Sequence, residues 1–327
     1  MESQYPIDPL DFDNVSTYPI DSRKSKVHAG MFGKPMDGSE NMLAFVSKLP
    51  QILGGENLRN LIRALLYARV SEKPIIWGIG GHVIKVGLGP VIVDLMRHGF
   101  VTGIVMNGAA AIHDFEVAYR GATSEEVEAQ IDSGRFGMAQ ETGEFMNAAI
   151  NEDRNIGMGE SLGRFISRNV PPFQHASASI LAEAYKMKVP VTVHVALGAD
   201  IIHIHPKASG GNTGEATYRD FRLLCSIIRE LNGGGVYLNV GSAVVLPEVF
   251  LKAVSVVRNL GYPLQEFTTA NLDFIQHYRP TQNVLKRPTQ DSGQAIALTG
   301  HHEIMVPLIA AALKGALAGG IDKPENK

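Results

Sequence analysis

Short apolar runs alternate with stretches of helical spacing over most of the chain. The run Pro74 to Ile79 has strand length and closes in Gly78, Gly80 and Gly81, where backbone can turn tightly. From Val83 to Met96 the residues Val83, Ile84, Leu88, Val91, Ile92 and Leu95 fall at helical spacing, and Gly99 ends the pattern. Phe100 to Met106 reads as a second buried strand. Strand, helix and strand in about 30 residues make a βαβ unit, whose crossover is right-handed and whose ligands bind beyond the strand carboxyl ends. The turns Gly78 to His82 and Asn107 to Asp114 sit at that edge.

The same reading extends both ways. A long helix is predicted over Asn41 to Val70, broken at Pro50 to Gly55, and three helical patterns follow one another from Ser124 to Arg168. Alternation then resumes with a helix at Ser177 to Lys188, a strand at Val189 to Val195, a helix at Glu215 to Leu231, a strand at Gly235 to Val240 and a helix at Val244 to Leu260. The tail gives a strand near Leu264 to Thr269, an irregular polar run Ala270 to Gly293, a strand Gln294 to Thr299, a helix Glu303 to Ala318 and a frayed end. The pattern predicts an α/β fold: a doubly wound, mostly parallel, Rossmann-like sheet of about six strands, covered on both faces. Residues 39–327 form one such domain in this reading, with a helical insertion at about 124–168, behind a proline-rich arm, residues 1–38.

Charge and composition narrow the partners. A formal charge of −3 with interspersed signs leaves no basic stripe, so nucleic acid is not expected. No run reaches the 18 or more apolar residues that span a bilayer, and the acidic start MESQYPIDPLDFDN lacks the apolar stretch of a signal peptide, so a cytoplasmic protein without membrane contact is expected. The single cysteine, Cys225, reads as a buried helix residue.

Chemistry-bearing residues gather at the predicted turns. The glycines after the first strand do not spell G-x-G-x-x-G, and they suit a nucleotide site or helix packing alike. After the strand at Val189 to Val195, His203 and His205 alternate on one side of a segment read as extended, and either suits general-base work. His113, His203, His205, His301 and His302, with Asp114 and Asp200, also allow a zinc shell, or His301 and His302 are a helix-start motif closed by Glu303. Gly241, Ser242 and Ala243 repeat the strand, small-residue turn and helix plan, which lets a phosphate or ribose approach helix amides.

These turns resemble deoxyhypusine synthase. The family pattern G-x-x-x-x-V-x-x-G-[LM]-x-x-x-I-x-x-L, then G-x-V and T-G-A-x-x-x-H-D, is echoed in Gly78, Val83, Gly87, Leu88, Ile92, Leu95, Gly99, Val101, Gly108, Ala109, His113 and Asp114. The resemblance implies a Rossmann-like NAD site and a homotetramer with active sites between paired subunits. It also implies spermidine oxidation followed by aminobutyl transfer to a lysine. By the same resemblance the cofactor lies against Gly81, His82, Ile84, Lys85, Asn107, Gly108, Ala109, Gly241, Ser242, Gly300 and His301, and the substrate against His113, Asp114, Asp200, His203 and Arg279. The family run G-D-M-I-F-F-H is similar to Ala199 through His205, which makes His205 the implied proton acceptor, and Lys286 stands nearest the imine-forming lysine.

The tail departs from the family. Its acidic polyamine-holding segment is replaced by QHYRPTQNVLKRP, where Arg279, Lys286 and Arg287 stand among Thr281, Gln282 and Asn283. A polycation needs carboxylates at both ends, so this points away from spermidine and true deoxyhypusine synthase activity, toward a small amine or a carboxylate-bearing relative. The expectation is an NAD-dependent, deoxyhypusine synthase-like transferase. Its alternatives are a catalytically silent nucleotide-binding scaffold and a metal-dependent hydrolase built on His203, His205 and His301.

Overall fold

A computed structural model describes residues 4–319; the frayed end expected after the last helix lies outside them. Six strands form one sheet: β1 (Ile75–Ile79), β2 (Gly103–Asn107), β3 (Val191–His194), β4 (Val236–Val240), β5 (Thr268–Asp273) and β6 (Gln294–Thr299). Their order is β3-β2-β1-β4-β5-β6 and every pair is parallel. This is the doubly wound Rossmann order, in which the winding reverses between β1 and β4.

Alternation along the strands sorts side chains to two cores. Ile75, Trp77 and Ile79 enter one, with Val236, Leu238 and Val240 from the neighbouring strand. Ile76, Val105 and Tyr237 enter the other. The first core is shared with α1 (Met42–Lys48), α2 (Leu53–Val70), α4 (Gly89–Arg97), α5 (Gly108–Arg120), α9 (Ile180–Met187) and the final helix His302–Ala318. The second is shared with α10 (Gly210–Arg229) and α11 (Val245–Asn259). Where the expected insertion falls, the chain forms α6 (Val127–Ile131), α7 (Gln140–Glu152) and α8 (Met158–Arg168).

Several expected elements shift, each for a local reason. The helix after β1 is split into α3 (Gly81–Lys85) and α4, because Gly87 takes a left-handed φ of 77° between them. Gly78 lies inside β1 instead of in a turn, and a Cβ there would sit 2.6 Å from the Tyr237 hydroxyl, so its bareness seats the tyrosine. The fifth strand begins four residues later than expected, since its apolar approach Leu264 to Phe267 precedes the ladder while the buried Asn271 and Asp273 belong to it. The polar run that follows is not irregular: Tyr278–Pro280, Thr281–Lys286 and Arg287–Thr289 make a continuous helical stretch with a π-helical middle.

The edge strand β3 is closed by side chains. Asp220 on α10 accepts from Val193 N at 2.8 Å and Gly159 N at 2.9 Å, while Thr217 donates to Val193 O at 2.8 Å. These bonds occupy ladder groups that would otherwise invite another strand. The arm is different. Tyr5, Ile7, Leu10, Phe12, Tyr18 and Ile20 are all exposed, and its backbone is tied to the body by Lys34 N to Lys48 O and Gln51 N to Met31 O. Among the described residues no helix is long and apolar enough to cross a membrane.

Candidate functional site

The carboxyl ends of β1 and β4 meet at the point where the winding reverses. Gly80 N donates to Val240 O at 2.9 Å, and a Cβ on Gly80 would collide with the carbonyl oxygen of Gly241. Gly241 has φ of 68°, a left-handed turn that glycine adopts without strain. Side chains from three strand ends gather beside this pair. His82 follows β1, Phe274 follows β5, and His301 and His302 follow β6. The His82 and His302 ring centroids are 5.5 Å apart, and Phe274 lies 5.9 Å from His82, 6.1 Å from His302 and 6.4 Å from His301.

His302 is the buried member. Its Nε2 lies 3.0 Å from Leu272 O and so carries the hydrogen, while Nδ1 is buried with no partner among the described residues. A Cβ on Gly241 would be 3.0 Å from His302 Cε1, so the glycine and the ring are fitted to each other. The sequence reading set His301 against the cofactor and named His302 only as a metal-ligand candidate or helix-start residue; the structure exposes His301 and buries His302.

The other expected cofactor residues divide into groups. Gly81, His82 and Lys85 line or flank the first turn, whereas the Ile84 side chain is buried in the core. Ser242 is buried, and its hydroxyl accepts from Leu246 N at 3.3 Å to cap α11. Its carbonyl accepts from Asn239 Nδ2 at 2.8 Å, the start of a ladder running through Asn271 to Gln276 and Leu298 O. Asn107 caps α5 by accepting from Ala110 N at 2.9 Å. Gly108 lies under a carboxylate: a Cβ there would run into Asp200. Gly300 N donates to Asp273 O at 3.1 Å, and a Cβ on it would lie 3.1 Å from Met305 Sδ.

Of the expected substrate residues, Asp114 is committed elsewhere. Both its oxygens are used, accepting from Ser179 Oγ at 2.6 Å, Ile180 N at 2.8 Å and Leu181 N at 3.0 Å, so it caps α9 from inside the core. Burial pushes its carboxyl up to about 6 despite those bonds. Asp200 is half-buried against the start of α5, and burial raises its carboxyl above the ordinary value while His203 opposes the rise.

His203 and His205 do not share one side of an extended segment. Residues Ile201–Ile204 form a 3-10 turn. His203 Nδ1 accepts from Gly198 N at 3.2 Å and Asp200 N at 3.3 Å, which binds the ring to its own loop, and its Nε2 is buried without a partner among the described residues. His205 instead packs on Gly143 of α7 and accepts Lys207 N at 3.2 Å. The zinc shell with His301 fails on distance, because β3 and β6 are the two edges of the sheet. Five strand spacings put them about 24 Å apart. Among the described residues no group of three or more histidine, cysteine or acidic side chains is placed to hold a metal ion.

Arg279 and Lys286 lie on the helical stretch after β5, which runs from the carboxyl edge back toward the start of β6. Arg279, near its beginning, pairs with Glu248 at 3.3 Å. Lys286 is exposed and lies seven residues further along the same stretch.

His113 gathers neighbours that the spacing did not announce. Its Nδ1 lies 2.7 Å from Thr123 Oγ1, Thr123 donates to Glu116 Oε2 at 2.5 Å, and Thr142 of α7 donates to Glu116 Oε1 at 3.0 Å. Burial alone would raise Glu116, but the nearby His113 and the hydrogen bonds from Thr123 and Thr142 outweigh it and hold the carboxyl below its ordinary value. His194, at the end of β3, was likewise unannounced: it is buried, and burial lowers its imidazole to about 4, so it is neutral at physiological pH.

No protein-family model matches the chain, and no curated protein matches it by sequence. Solved structures do. A candidate LOR/SDH protein from Methanococcus maripaludis S2 has a TM-score of 0.52 at 14% identity over 81% of this chain and 70% of that one. AgrE, solved as a ternary complex with ornithine and NAD+, has a TM-score of 0.55 at 11% identity over 80% of this chain, which spans 33% of the AgrE chain. A candidate deoxyhypusine synthase from Entamoeba histolytica matches 86% of this chain and 96% of that one, with a TM-score of 0.47 at 13% identity. At these identities what the first two share with this chain is the fold.

Proposed function

We propose that the chain is a deoxyhypusine synthase-like enzyme that binds NAD at the β1 and β4 carboxyl ends and acts on a small amine or a carboxylate-bearing relative. The observation that carries this reading is the pairing of Gly80 with Gly241 beside the unpartnered, buried Nδ1 of His302. Glycines at the point of reversal let backbone approach a dinucleotide closely, and an orphaned polar nitrogen there suits a ligand that supplies a donor. AgrE, which shares the fold, holds ornithine with NAD+, and this supports both the cofactor and an amine-bearing substrate.

When bound, the nicotinamide ring would supply a reversible hydride acceptor. The chain's own residues do the rest. Gly80, Gly81 and Gly241 leave room for backbone to meet it, His302 Nδ1 would accept a hydrogen bond from it, and His82 and Phe274, packed edge to face beside the turns, would help to hold it. Asp200, a carboxylate at the start of α5, attracts an ammonium group. Lys286 has no part in this reading, so aminoalkyl transfer through it is not included.

Titration calorimetry with NAD+ tests the reading, with Gly81→Asp adding bulk and negative charge at the first turn. Micromolar binding by the wild type, lost in a variant that keeps its circular dichroism, is expected; a wild type that binds no NAD+ overturns it. We also infer a homo-oligomer, since Leu197, Val244, Phe274, Ile275, Tyr278 and Ile304 stay exposed around the carboxyl edge. Light scattering at micromolar concentration checks this, and a monomer would sink it.

A further inference from the structure

The line from His113 to Glu116 fixes where the histidine keeps its proton. A hydroxyl has one hydrogen to give. Thr123 gives it to Glu116 Oε2, at 2.5 Å, so toward His113 the threonine oxygen is an acceptor, and Nδ1, 2.7 Å away, must carry the imidazole hydrogen. In the neutral ring the free electron pair then belongs to Nε2.

The ring's direction follows from its neighbours. A Cβ built on Gly81 would lie 3.1 Å from His113 Cδ2, the carbon bonded to Nε2, so this edge of the imidazole faces the turn after β1. Among the described residues Nε2 has no hydrogen-bonding partner. The His113 side chain keeps partial exposure. Glu116 is anchored a second time by Thr142 from α7, which ties the carboxylate to the helices after α5 and limits its motion.

We propose that His113 is the proton acceptor of the site, through Nε2, for an ammonium group presented at the β1 turn, with Thr123 and Glu116 as the positioning residues. In the step the substrate N–H bond breaks, its electron pair stays on nitrogen as the free amine, and the proton forms an Nε2–H bond. The imidazolium so formed has Glu116 Oε2 3.8 Å from Nδ1 as its counter-charge, relayed through the Thr123 hydroxyl. Asp200, beside Gly108 at the start of the same helix, selects a cation. The ammonium class rests on the functional reading above, whereas the tautomer and its relay do not. This role falls to His113 in place of His205, whose ring packs on Gly143 and Lys207 N.

The test is the tautomer of His113, read from long-range 1H–15N correlations on the full chain labelled in histidine. The Nδ1–H form is expected in the wild type. Thr123→Val, which keeps the shape and loses the acceptor, should move the population toward Nε2–H, and Thr123→Ser should restore it. A wild type in the Nε2–H form, or a Thr123→Val spectrum unchanged at His113, overturns the relay. With any amine that the enzyme oxidises, His113→Gln should lower kcat on the order of 100-fold while the NAD+ Kd stays within about two-fold. Unchanged kcat overturns the acceptor role. A wild type that shows the Nδ1–H tautomer and binds no NAD+ supports the relay and sinks the cofactor reading, so the two failures are separable.

Discussion

Gly80 and Gly241 touch backbone to backbone at the carboxyl ends of β1 and β4, where a single added methyl group on Gly80 has no room. The hydrogen bond from Gly80 N to Val240 O holds the two turns together. Overpacking at such a contact costs about 1–3 kcal/mol, and here the displaced atom is a carbonyl oxygen that cannot rotate away. Gly80→Ala should therefore lower the unfolding free energy by about 3 kcal/mol in urea titrations and abolish NAD+ binding. Wild-type affinity in that variant would place the cofactor elsewhere.

Asp200 and Gly108 are coupled in a similar way, this time through a side chain. Gly108→Ala drives a Cβ into the Asp200 carboxylate and should displace the loop of residues 196–209. Removing the carboxylate with Asp200→Ala should relieve the clash, so the double variant is expected to be more stable than Gly108→Ala by about 1 kcal/mol or more. Additive effects in thermal unfolding would show that the two positions do not meet.

His302 separates stability from binding. His302→Ala opens a cavity in the core and removes one of the two donors to Leu272 O, the other being Gly241 N, for a loss of about 2–4 kcal/mol. His302→Phe fills the volume and removes Nδ1, so it should recover much of that stability while leaving NAD+ binding weaker by roughly ten-fold, the worth of one hydrogen bond. Equal affinity in His302→Phe and wild type would remove His302 from the cofactor site.

Asp220 makes a signed prediction with pH. Burial pushes its carboxyl up to about 7 from an ordinary 3.8, against the bonds from Val193 and Gly159. The native state then holds this proton more tightly than the unfolded chain, so the group's contribution to stability is full below the unfolded value and is lost as pH rises through about 7. The difference in unfolding free energy between wild type and Asp220→Asn should fall between pH 4 and pH 7 by up to about 1.4 kcal/mol per pH unit, then level off. A difference that rises with pH would mean that the amide bonds dominate and the carboxylate is ionised when folded.

The order of strands and helices was legible because apolar runs and helical spacing report which faces are buried, and burial is what the alternation encodes. β6 was bounded correctly, Gln294–Thr299, and β4 to within one residue at its start. β5 was shifted because Asn271 is buried and bonded across strands to Asn239, a pairing that no local pattern of polarity reveals. The glycines Gly80 and Gly241 could be marked as turn residues, but not as partners, since 161 residues separate them in the chain.

What the sequence determined by itself is the class of fold and the edge of the sheet at which ligands would gather, both set by the periodicity of apolar residues. Which histidine faces what was decided only by tertiary structure. His203 and His205 look paired in the sequence and are turned apart by a 3-10 turn, His301 looks equal to His302 and is exposed while its neighbour is buried, and His113 meets Thr123 and Glu116 only once the loop after α5 folds back. The reason is physical: burial along an element is a one-dimensional signal, whereas a hydrogen bond needs two side chains brought within 3 Å or so from separate elements, and that distance is set by packing.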